Sequence, residues 1–113
     1  MTVGRMSVAR MTDCRGWTVY SSDRVAVGSV QSIVQSRAAG NAEYFIVALS
    51  DGGTVLVPVA YARVNQPLRR ITMRALPASG CRVLPLYSGE PLTEGLEDQV
   101  WWVFVTAEEA KSV

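Results

Sequence analysis

Two stretches near the start of the chain, residues 17–20 and 24–35, are rich in β-branched and aromatic side chains and are separated by Ser21-Ser22-Asp23, a trio with turn chemistry. They predict two strands joined by a tight turn. Along the second, Val25, Val27, Ser29, Gln31, Ile33 and Gln35 fall on one face, and Ala26, Gly28, Val30, Ser32 and Val34 on the other. Gly28 interrupts the run, and a glycine inside a strand predicts a bulge or sharp bend, so a curled sheet is favoured over a flat one. Residues 36–41 read as a loop. Residues 44–49 and 54–59 then flank Ser50-Asp51-Gly52-Gly53. An Asp-Gly pair between two apolar β runs predicts a hairpin closed by a primed turn, which makes Asp51 a turn residue. Pro58 has no N–H to give to a ladder and belongs at a sheet edge or strand end. Residues 61–64 and 70–74 predict two further short strands, with Asn65-Gln66-Pro67 turning between them.

From Pro77 the pattern changes. Pro77, Gly80, Pro85, Gly89 and Pro91 punctuate a connector without clear periodicity. Leu96, Val100, Val103 and Phe104 then recur at the spacing of an amphipathic helix, with Thr93 as its N-cap. Glu94, Glu97 and Asp98 fall in its first turns, where the helix dipole favours negative charge. Thr106-x-x-Glu109 has the form of a capping box, a second start signal that adds a final helical turn. The expected fold is mainly β: a small, closed or nearly closed barrel of about six short strands, a Pro/Gly-rich connector and one C-terminal α-helix. Residues 1–15 form an arm ordered by a partner, 16–76 the barrel, and 77–113 the connector and helix packed on it.

Composition narrows the function. With 113 residues, 49% hydrophobic and 19% charged, the chain has material for one domain and enough apolar side chain to fold alone. The longest uncharged, mainly apolar run, residues 55–62, contains Pro58 and falls far short of the about 20 residues of a membrane helix. Arg5, Arg10 and Arg15 interrupt the N-terminus, so no secretion signal is expected and the chain reads as cytoplasmic. Cys14 and Cys81 read as reduced thiols, with a disulfide as the alternative. There is no histidine, which removes the usual metal ligand, general base and partner of a serine or cysteine nucleophile. No CxxC and no phosphate-cradling glycine loop is present either. The expectation is a protein that is not an enzyme and binds neither metal nor cofactor itself.

Charge is unevenly spread. Residues 1–82 carry ten arginines against four acids, a balance of +6, while residues 83–113 balance at −5. These halves either face outside partners or neutralise each other within the fold. Arg5, Arg10, Arg15, Arg69 and Arg70 are candidates to meet lipid phosphates or acidic loops of a partner, with solvated arginines as the alternative. Trp101 and Trp102 are consecutive on the predicted helix and point about 100° apart. One is expected in the core and the other at an interface.

Gly16-Trp17-Thr18-Val19-Tyr20-Ser21-Ser22-Asp23, followed by Val27-Gly28-Ser29-Val30, resembles the opening hairpin of the PRC-barrel family. Residues 44–59, with their Asp-Gly turn and Leu56-Val57-Pro58, resemble the cytoplasmic domain of the photosynthetic reaction-centre H subunit. So do the closing strand 71–76 and the segment Val83-Leu84-Pro85 followed by residues 92–100. The likeness covers roughly residues 16–104. It implies a non-catalytic, peripheral subunit on the cytoplasmic face of a photosynthetic inner membrane, part of a hetero-oligomer. Such a subunit caps the quinone side of membrane-spanning subunits of L and M type and stabilises the complex. Bacteriochlorophyll and quinone would reside in those partners. The family's H subunit has an N-terminal membrane helix, and no apolar span precedes Trp17 here, so a divided H subunit with a separate transmembrane anchor chain is expected. The family's proton-entry histidines have no counterpart. Asp51, Glu97 and Asp98 are the acids that best match family positions, although a hairpin turn and a helix N-terminus explain them without proton chemistry. The alternative is a stand-alone PRC-barrel adaptor, or an RNA-binding protein like the ribosome-maturation members. A pI of 7.8 argues against RNA, since strong backbone binders usually exceed about 9.

Overall fold

The computed structural model describes residues 14–36 and 42–112. Among them, six strands form one sheet: β1 (Thr18–Tyr20), β2 (Ala26–Gln35), β3 (Glu43–Leu49), β4 (Thr54–Pro58), β5 (Ala62–Asn65) and β6 (Arg70–Met73). Their order is β4-β3-β2-β1-β6-β5. Only β1 and β6 run parallel; every other neighbouring pair is antiparallel. The helix α1 (Glu94–Ser112) follows, after a 3-10 segment at Ala78–Val83. The expected mainly β architecture of barrel, connector and C-terminal helix is the one observed. One detail differs: the sheet stays open between β4 and β5.

The long strand β2 serves both halves of the sheet, pairing with β1 at one end and β3 along most of its length. It bends to do so. Its register slips once against β1, where Val27 is the extra residue, and once against β3, where Gln31 is. These bulges explain why its strict alternation fails, with Gln31 exposed beside buried Val30. Gly28 lies between them, and a Cβ there would overlap the backbone oxygen of Ala48 on β3. The glycine permits a close approach of strands, while its neighbours carry the bulges.

The β3–β4 hairpin corrects the expected primed turn. Gly52 N–H donates to the Leu49 carbonyl and Leu49 N–H to the Gly53 carbonyl. Within this loop, positive φ occurs at Gly52 (104°) and Gly53 (87°) and not at Ser50 or Asp51. Ser50 and Asp51 therefore keep ordinary backbone, and the loop is the three-residue form in which a glycine follows the turn. Pro58 ends the edge strand β4, where its missing N–H costs no ladder bond.

Both faces of β4 are covered, and Val55, Leu56, Val57 and Pro58 are all buried. One face meets the inside of the curled sheet and the other meets α1. The helix crosses the open seam: Tyr61, in the 3-10 turn Val59–Tyr61 between β4 and β5, stacks against Trp101 (5.6 Å between ring centres) and Phe104 (5.3 Å). Thr93 caps α1 as expected, its Oγ1 accepting from Leu96 N–H at 3.2 Å. Val100 and Phe104 are fully buried, with Leu96 and Val103 packed partly against the core. The second start at Thr106 does not exist, because α1 runs unbroken from Glu94 to Ser112 and its 106 N–H lies in mid-helix. Cys14 and Cys81 are both buried and are not joined in a disulfide.

Candidate functional site

The buried end of α1 holds a polar cluster. Glu97 is 2% exposed, and its carboxylate accepts two short hydrogen bonds, from Ser36 Oγ and Tyr44 Oη, each 2.7 Å. Trp101 Nε1–H, one turn further along α1, donates to the same Tyr44 hydroxyl at 2.8 Å. Three segments are thus tied together: the end of β2, strand β3 and the helix. Burial first, then the carboxylate of Glu97, pushes the Tyr44 phenol well above its ordinary range, so its proton stays in the network. Helix-dipole placement accounted for Glu97 in the sequence, but its partners are distant hydroxyls. Asp98, the next residue, is exposed, and so is Asp51 in its turn. The three acids singled out by position therefore do not gather into one path. Ser36 and Tyr44 were not foreseen, because a serine at a loop edge and a tyrosine in a strand carry no signal of a partner 61 or 53 residues away.

The two tryptophans separate. Trp101 is half-buried and edge-on to Tyr44 (6.4 Å between ring centres) as well as Tyr61. Trp102 is 69% exposed. It lies over an apolar cleft of about 550 Å³ between α1 and the 3-10 segment, lined by Leu76, Pro77, Val83, Val103 and Ala107 among others. Val83, also in this cleft, is 67% exposed. Asp23 ties the turn after β1 to the start of the 3-10 segment, its carboxylate accepting from the Ser21 hydroxyl and from the Ala78 N–H (3.0 Å). Those bonds, the serine's first, hold Asp23 below the usual carboxylate range.

Among the candidate arginines, Arg5 and Arg10 lie outside the described residues. Arg15 and Arg69 come together around a cleft of about 430 Å³ with Trp17 and Thr18. Arg70 sits on the adjoining surface, its guanidinium carbon 5.0 Å from the centre of the Tyr20 ring.

A short strand β1 answered by bulged β2, the Asp-Gly hairpin and a parallel β1–β6 closure make up the curled sheet described above. The family model of the PRC-barrel domain matches residues 6–79. The chain belongs to the PRC-barrel family. No curated protein matches it. The PRC-barrel match ends within the 3-10 segment, so the connector and the helix that carry Trp102, Glu97 and Trp101 lie beyond it. Among the described residues, no three Cys, Asp or Glu side chains come together as a metal centre needs. None of the described helices is long and apolar enough to cross a membrane.

Proposed function

We propose that this PRC-barrel chain is a non-catalytic docking subunit of the reaction-centre H type, seated on the cytoplasmic side of membrane-spanning L- and M-type subunits and stabilising them. In this reading the chain binds no pigment, quinone or metal. Its α1 face is the contact, and Trp102 is the anchor. The observation that carries the reading is the exposed Trp102–Val83 pair over an apolar cleft formed by the connector and helix, the segments whose residues resemble the H subunit. Large rigid aromatics in apolar clefts are the residues that most often dominate binding energy at protein interfaces. The buried Glu97 network supports the reading indirectly, since it fixes α1 and so the direction in which Trp102 projects.

A tagged pull-down from detergent-solubilised photosynthetic membranes at moderate salt tests this. Bacteriochlorophyll absorption and subunit masses should co-elute with the wild-type chain, and the masses would identify any separate anchor chain. Trp102→Ala should lose both. A colourless eluate from cells that make the pigment complex would refute it.

A further inference from the structure

The surface of β1, β6 and β5 that faces away from the core holds an arginine-lined groove. Thr18 pairs with Arg70 and Arg70 with Asn65; Tyr20 pairs with Thr72 and Thr72 with Arg63. Side chains alternate across a strand, and Val19 and Ile71 are fully buried, so these six residues share the outer face. Arg24, from the turn after β1, and Arg74, just past β6, extend it at one end. The groove measures about 870 Å³, and Arg24, Arg63, Arg70 and Arg74 all line it.

Its chemistry is one-sided. Ser22, Asn65 and Thr72 add neutral hydrogen-bond donors, and Glu108 is the one carboxylate lining it, already accepting from the Tyr61 hydroxyl at 2.9 Å. Two cations are held in place. Arg70 lies over the Tyr20 ring, and Arg74 lies 5.2 Å from the Tyr61 ring centre while donating to the Ala60 carbonyl at 2.7 Å. A guanidinium over an aromatic ring is attracted by the ring's face and still has N–H donors to offer a ligand. Arg24 (φ 65°) and Ala75 (φ 73°), both lining the groove, adopt the left-handed backbone that side chains disfavour, a strain that tends to collect at binding sites.

We propose that this groove binds phosphate-bearing anions, with a phosphoryl group held between Arg63 and Arg70 and further negative charge met by Arg24 and Arg74. A ligand that only accepts hydrogen bonds and carries more than one negative charge satisfies guanidiniums, hydroxyls and amide together, and the arginine fork matches two oxygens of one phosphoryl group. The groove shares Ser22 and Ala75 with the Trp102 cleft, so a bound phosphate would sit beside the proposed docking surface. The source is either a phospholipid headgroup or a soluble phosphate. This site does not depend on which protein the α1 face meets.

The test uses the full chain at low ionic strength. Inorganic pyrophosphate is titrated by calorimetry, and flotation is measured with phosphatidylglycerol/phosphatidylcholine vesicles against pure phosphatidylcholine. Saturable binding should weaken by at least about tenfold in Arg63→Gln/Arg70→Gln, losing charge-assisted bonds to the phosphoryl group. Arg70→Lys, which keeps the charge but not the fork, should fall between. Arg82→Gln, an exposed arginine outside the groove, should bind as wild type. Far-UV circular dichroism checks folding, and if the double variant misfolds, exposed Arg63→Gln alone carries the comparison. Vesicle binding that pyrophosphate competes away assigns a lipid headgroup; pyrophosphate binding without vesicle binding assigns a soluble ligand. Absence of both, equal binding by the double variant, or an equal loss in Arg82→Gln would overturn the proposal.

Discussion

Replacing Glu97 by alanine should be among the most damaging single changes available in this chain. The carboxylate is 2% exposed and is the acceptor for both Ser36 Oγ–H and Tyr44 Oη–H. Truncation leaves two buried hydroxyls without that acceptor, each costing about 1–3 kcal/mol, so the loss is about 2–6 kcal/mol. Domains of this size hold only about 5–15 kcal/mol in total, and the midpoint of thermal unfolding should fall by about 10–30 °C. Glu97→Gln should be milder. Its amide oxygen can still accept from Tyr44, and its N–H₂ can donate to the Ser36 hydroxyl, which also accepts. Tyr44→Phe removes the bond to Glu97 and the acceptor for Trp101 Nε1–H, and should cost about 2–4 kcal/mol. Because Glu97 and Tyr44 share a bond, Glu97→Ala/Tyr44→Phe should cost less than the sum of the singles, by about 1.5–3 kcal/mol. Urea unfolding of the four proteins measures this coupling. A Glu97→Ala variant within about 0.5 kcal/mol of wild type, as expected of a surface site, or strictly additive singles, would refute the buried network.

Asp23 should give the fold an acid-sensitive latch. Its folded-state carboxyl is held below the usual carboxylate range by Ser21 and Ala78, so its contribution is present above the unfolded value and is lost as pH falls through the lower folded one. Melting temperatures of wild type and Asp23→Asn should therefore converge on acidification, and parallel curves would count against the latch. Cys81 acts at the opposite end. Burial, aided by the charges of Asp23 and Asp51, pushes its thiol from 9.0 up to about 11. The native state thus keeps a proton that the unfolded chain loses, and about 2–3 kcal/mol of stability disappears as pH rises from about 9 towards 11. Cys81→Ala should show a shallower alkaline decline in denaturant titrations; an unchanged decline would exclude the thiol as its source. The tryptophans should divide stability from binding. Trp101→Ala should cost about 3–5 kcal/mol, whereas Trp102→Ala should stay within about 0.5 kcal/mol of wild type, and the reverse order in chemical unfolding would contradict their placement.

Local signals carried well where short-range chemistry decides the outcome. Thr93 caps the helix because its hydroxyl needs only an N–H three residues on, and the β3–β4 hairpin forms where two glycines accept positive φ. Pro58 sits at an edge for want of an N–H. The misses have physical causes too. The helical segment Ala78–Val83 escaped notice because a 3-10 run of this length needs no apolar stripe, only Pro77 to start it and Arg82 and Val83 left in solvent. Thr106 looked like a cap, but a helix already nucleated at Thr93 gains a hydrogen bond with each added residue and has no reason to restart. The Glu97–Tyr44–Ser36 cluster and the four-arginine groove depend on register between strands far apart in sequence. Arg63 and Arg70 line one groove only because β5 pairs with β6, and Arg24 joins them only because β1 runs parallel to β6.

The open seam implies that the stable unit is larger than the family match at residues 6–79. Between β4 and β5 no ladder closes the sheet, and Tyr44, Leu56, Pro58 and Tyr61 are buried on the side that α1 covers. From the helix, Val100 and Phe104 are fully buried and Trp101 partly so. At about 1.5–3 kcal/mol for each such side chain, three of them contribute about 5–9 kcal/mol, comparable with the whole stability of a small domain. A chain ended after Leu92 should therefore lose its cooperative thermal transition and bind a hydrophobic dye, and a synthetic peptide of residues 93–112 added in trans should restore the transition. If the shortened chain instead melts cooperatively within about 5 °C of wild type, equivalent to about 1 kcal/mol, the curled sheet is self-sufficient. The helix would then be an appendage that can leave the barrel, and Trp102 would have no fixed direction in which to project.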